Sequence, residues 1–165
     1  MELTLQNGQE RALDISVIYI AEKDCDFSEY SFTNTELEYI KNELKAGEKS
    51  VDINSYFKWS YIRIIENDLP EYIAWEKIRK QASQLYSTLK KNKHEDILVV
   101  DLSGRSQIVK AFLESLVLSH YQFLKYKTRN ADKDKKNPLK HLQVLSEVIS
   151  QEDLINIEIL CTGVY

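Results

Sequence analysis

The chain has 165 residues, with 22 Lys and Arg against 26 Asp and Glu and a formal net charge of −4 at pH 7. That balance repels polyanions, so nucleic acid is not an expected partner, and no apolar run approaches the roughly 20 residues that a bilayer span requires. At 43% hydrophobic and 29% charged, the composition is that of one globular domain long enough to bury its own core. Four glycines and two prolines leave little material for loops that wrap phosphates with backbone amides. Cys25 and Cys161 form no CxxC motif and no Cys/His cluster, so reduced thiols are expected rather than a disulfide framework or a zinc site. Met1–Leu5 lacks a basic, then apolar, leader, and a cytoplasmic location follows by default.

In chain order, residues 2–5 and 15–20 read as strands, the second rich in β-branched and aromatic residues. Thr33-Asn34-Thr35-Glu36 is a capping box, and Leu37, Ile40 and Leu44 repeat on one helical face up to Gly47, placed for a left-handed cap. Val51 to Glu66, with Tyr56, Phe57, Trp59, Tyr61, Ile62, Ile64 and Ile65, reads as one or two strands. Asp68 and Pro70 announce a long crossover helix, Asp68 as its cap, in which Trp75, Ile78, Ala82, Leu85 and Leu89 share a face and Lys90, Lys91 and Lys93 gather at the end. Asp96–Leu102 is a nearly continuous apolar run, the pattern of a strand covered on both faces of a mainly parallel sheet. Ser103–Ser106 turns into a helix reaching about Phe123, residues 125–138 read as an exposed basic loop, residues 141–145 as a strand and residues 151–164 as a helix. This alternation predicts an α/β layered domain.

Asp101 lies at the carboxyl end of the buried strand, where open α/β sheets place ligands, and Ser103-Gly104-Arg105 precedes a helix start whose amides suit an anion. The plainer reading is that Ser103 caps the helix and Gly104 makes the turn. His94, His120 and His141 are dispersed without ligand spacing, and Asp24, Asp26 and Glu29 sit in a polar stretch with no glycine-punctuated calcium loop. Ser103 and Ser106 lack the glycines of a nucleophile elbow.

Residues 75–128 carry a more specific pattern. After the strand at 97–102, Glu114, Leu118, Tyr121, Phe123, Tyr126 and Lys127 match a helix that reads E-G-x-x-L-G-x-Y-x-F-x-x-Y-K in the cytosolic leucyl aminopeptidase family, and the chain resembles the amino-terminal domain of that family. The two glycines of the pattern fall on Ser115 and Ser119, the mark of a divergent member. The resemblance implies a macro-domain-like fold, a three-layer arrangement with a mixed, mainly parallel sheet flanked by helices, over residues 1–150. Residues 151–165 would then be a connecting helix to a carboxyl-terminal peptidase domain missing from this chain. In the family that domain holds two divalent metals, zinc or manganese, through Lys, Asp and Glu, including an N-T-D-A-E-G-R segment that does not occur here. The implied role is non-catalytic, in oligomer assembly or active-site access, with the chain's own peptidase domain and neighbouring subunits of a homo-hexamer as partners. No catalytic, cofactor-binding or metal-binding residue is assigned within 1–165. The alternative is a stand-alone macro-domain-like module binding a nucleotide or ADP-ribose at Asp101, Ser103, Gly104 and Arg105. A third reading is a scaffold self-associating through exposed aromatics such as Trp59 or Trp75.

Overall fold

The computed structural model describes residues 1–6, 14–120 and 138–163. The strands β1 (Glu2–Leu5), β2 (Ser16–Glu22), β3 (Ser50–Asn54), β4 (Trp59–Ile65), β5 (Asp96–Asp101) and β6 (His141–Leu145) form one sheet in the order β1-β6-β5-β2-β4-β3. All neighbours pair in parallel except β3, which closes one edge antiparallel to β4. Among the described residues, α1 (Asn34–Ala46), α2 (Glu71–Lys91) and α3 (Ser106–His120) lie between successive strands, and α4 (Gln151–Gly163) follows β6. The basic loop read at 125–138, the end of the helix reaching Phe123, and Tyr121, Phe123, Tyr126 and Lys127 fall on residues 121–137, outside the described residues.

Alternation along the strands sends side chains to two separate cores. Ile97 and Val99 of β5 pack with α2, α3 and α4, while Leu98 and Val100 face Ile40 and Leu44 of α1. Both faces of β5 are therefore covered, which is why its sequence is apolar without a break. The result is a three-layer α/β fold. α3 buries Ile108, Val109, Phe112, Leu113 and Leu116, each such side chain contributing about 1.5–3 kcal/mol by leaving water.

Local chemistry sets the helix ends. Thr33 Oγ1 accepts from Glu36 N while the Glu36 carboxylate accepts from Thr33 N at 2.8 Å, and Gly47 ends α1 at φ 92°, a left-handed geometry that glycine adopts without strain. Asp68 does not cap α2. Pro70 holds the cap position and contributes no side-chain bond, because proline's fixed φ suits a helix entry and its carbonyl takes the amides of Ile73 and Ala74; Asp68 stands two residues too early. α4 begins with Ser150 and Asp153 in reciprocal capping bonds of 3.2 and 3.0 Å. Lys110 on α3, 2.7 Å from Asp153, is the main cause that holds this carboxyl down to about 2. Leu154, Ile157 and Cys161 of α4 join the main core, and Glu158 accepts from Leu3 N at 3.0 Å, so α4 is packed onto the α3 side of the sheet and onto β1.

Trp59 and Trp75 are half-buried rather than exposed. Trp59 stacks on Tyr61 at 5.7 Å. Among the described residues Tyr56 and Phe57 face solvent, 96% and 97% exposed at the tip of the β3–β4 hairpin, and Tyr39 and Tyr72 on the helices are exposed as well. Among the described residues no helix is long and apolar enough to cross a membrane.

Candidate functional site

The chain leaves β2 toward β4 and leaves β5 toward β6, so the connections diverge where these two neighbouring strands end. That point is where open α/β sheets form a crevice. Asp101 ends β5 there, but its carboxylate is taken up within the chain. Oδ1 accepts from Ser103 N at 2.9 Å, Ser103 Oγ at 2.7 Å and Gly104 N at 3.2 Å, and Oδ2 accepts from Ser146 Oγ at 2.8 Å. Asp101 thus builds the turn and ties it to the segment after β6.

Ser103 does not cap α3. Its hydroxyl donates to Asp101 and accepts from Arg105 N at 3.2 Å, a turn bond formed before the helix begins; the carbonyl of Arg105 receives Ile108 N and Val109 N. Gly104 makes the turn at φ 63°, with open space where a Cβ would stand. Arg105 reaches Asn67 at 3.4 Å. Of the four residues read from the sequence, Asp101, Ser103 and Gly104 are brought together around one carboxylate, and the Arg105 guanidinium is directed to a different loop.

The histidines have separate partners. Tyr61 Oη lies 2.8 Å from His94 Nε2 and accepts from Asn92 Nδ2 at 3.0 Å; burial lowers the His94 pKa and pushes Tyr61 up to about 12. His120 Nδ1 lies 3.1 Å from Tyr86 Oη, and burial takes this imidazole down to about 4. His141 pairs with Asp96 at the surface. Among the described residues no three His, Cys, Asp or Glu side chains come together as a metal site requires. Asp26 accepts from Ser28 N at 2.9 Å, which lowers its pKa.

A cavity of about 460 Å³ opens beside that same segment, between α1 and residues 23–28. Phe27, Leu37, Ile40 and Leu44 give it an apolar lining, and Lys23, Lys41 and Lys45 also line it. Sequence reading missed this site. The one signal available was the repeat of Lys41 and Lys45 beside Ile40 and Leu44 on α1; nothing in the sequence placed Lys23 near them.

By sequence, the chain matches no protein-family profile and no curated protein. By structure it does find a counterpart. It superposes on a mutant of leucine aminopeptidase from tomato with a TM-score of 0.65 at 14% identity, over 99% of this chain. The chain spans 36% of the length of that protein, so what the two share is a fold.

Proposed function

We propose that the chain is the non-catalytic amino-terminal domain of a leucyl-aminopeptidase-like protein, acting in subunit assembly or in shaping access to the active site. The observation that carries this reading is the likeness to the tomato enzyme, which takes in 99% of this chain but only 36% of that one. The sequence pattern on α3 supports it as well, through Glu114 and Leu118. In this reading the peptide-cleaving chemistry belongs to a further domain, where two divalent metals would polarise the carbonyl and activate water, and the cytoplasm is the place of action.

The test is the coding sequence downstream of Tyr165, expressed together with this domain and assayed with manganese and a leucyl peptide. Leucine release by the long protein and none by residues 1–165 is expected. A downstream sequence without the metal-ligand segment, or release by residues 1–165 alone, overturns the proposal.

A further inference from the structure

We propose that the cavity beside α1 binds an anionic amphiphile, a carboxylate or sulfonate head carried on an apolar body. This inference stands independently of the parent protein's chemistry. The volume of about 460 Å³ falls within the roughly 300–1,000 Å³ typical of small-molecule sites. Its interior is supplied by Phe27, Ile40 and Leu44, all buried, together with Leu37. Such a lining favours an apolar body.

The charges around it select the head group. Lys41 and Lys45 stand one turn apart on α1, and Lys23 faces them from the end of β2. Four other lysines, Lys49, Lys77, Lys110 and Lys140, are in ion pairs, whereas Lys23, Lys41 and Lys45 make none among the described residues. Their aliphatic stems can lie along the apolar lining while the ammonium groups reach water. Two carboxylates share the rim, Asp24 and Asp26; Asp26 accepts the amide of Ser28 and also feels the charge of Lys41. Three lysines against two aspartates leave the lining one positive charge in a chain that is negative overall, and an anionic head is attracted to it. Cys25 also lines it; burial, Asp26 and Glu22 all raise its pKa, so the thiol is a slow nucleophile whose alkylation rate reports whether the cavity is occupied.

Decanoate, titrated below its micellar concentration into the full chain, tests the proposal through backbone amide chemical shifts and the rate of Cys25 alkylation by iodoacetamide. Saturable shifts confined to residues 23–28 and 37–45 are expected, with alkylation slowed at least fivefold and buried Cys161 as the unreactive reference. Decanol and inorganic phosphate, which each carry half of the chemistry, should bind at least tenfold more weakly. Lys41→Glu/Lys45→Glu should weaken decanoate at least tenfold with an unchanged unfolding midpoint, since both side chains are exposed. Absence of saturable shifts at millimolar decanoate, shifts spread over the surface, equal affinity for decanol, or full affinity in the double variant would each overturn it.

Discussion

The hydroxyl of Ser115 donates to the backbone carbonyl of Arg79 at 2.7 Å, across the contact between α3 and α2. Beside it, the Arg79 guanidinium meets Glu114 at 3.2 Å, and Ser119 Oγ donates to Ser115 O at 2.7 Å. These two serines occupy the positions where the leucyl aminopeptidase helix pattern carries glycine. A serine is small enough for the helices to stay close, and at 115 it adds a bond that glycine cannot make. Ser115→Ala should cost about 0.5–1.5 kcal/mol for the lost bond. Ser115→Gly should cost about 1 kcal/mol more, for the backbone freedom of glycine inside a helix. Urea unfolding of the three proteins measures this order, and a glycine variant as stable as the parent would contradict it.

Asp101 is the hub of its turn, so Asp101→Ala strands Ser103 N, Gly104 N and the Ser146 hydroxyl at once. A loss of about 2–3 kcal/mol is expected in chemical denaturation. Gly104→Ala should cost only about 1 kcal/mol, because the added methyl meets open space and only the left-handed backbone is strained. Calorimetry with ADP-ribose at millimolar concentration should give no heat from the parent chain, since the carboxylate's contacts are already made internally. A saturable heat abolished by Asp101→Ala would instead make the turn a ligand site.

Acid should destabilise the protein through His120. Its folded pKa of about 4 lies below the roughly 6.5 of an exposed imidazole. Between those values the unfolded chain takes up a proton that the folded chain refuses, so stability falls as pH drops through that window and levels off beneath it. Part of the ring still meets water, which limits the loss to about 1–2 kcal/mol. The unfolding midpoint of His120→Gln should vary less than that of the parent between pH 6.5 and 4, and parallel pH profiles for the two proteins would contradict this.

Arg63 is 4% exposed and donates to Asp52 at 2.6 Å and to Ile62 O at 2.8 Å, with its guanidinium carbon 5.9 Å from the Tyr61 ring centroid. Removing one partner of a buried pair is harsher than replacing the charge by an apolar side chain of similar reach. Asp52→Ala should therefore cost about 2–3 kcal/mol, discounted because Asp52 is partly wetted, and Arg63→Met about 1 kcal/mol or less. Equilibrium unfolding of the two variants decides the order.

The features readable from the residues alone are those whose partners lie within one turn or one period. The Thr33–Glu36 box, the Gly47 terminator, the nearly continuous apolar run of β5 and the turn at Gly104 all depend on contacts or burial that neighbouring residues dictate. Periodicity reports which face of an element is apolar, but it is silent on which elements meet. Tertiary structure alone decided the order β1-β6-β5-β2-β4-β3, and with it the bond from Asp101 to Ser146, 45 residues away. That bond engages, within the chain, the carboxylate that the sequence places at the end of β5. The burial of Arg63 in a strand and the meeting of Lys23 with Lys41 and Lys45 were likewise settled by packing between distant segments. Such contacts depend on which segments are folded against one another, a property of the whole chain that no short window of sequence contains.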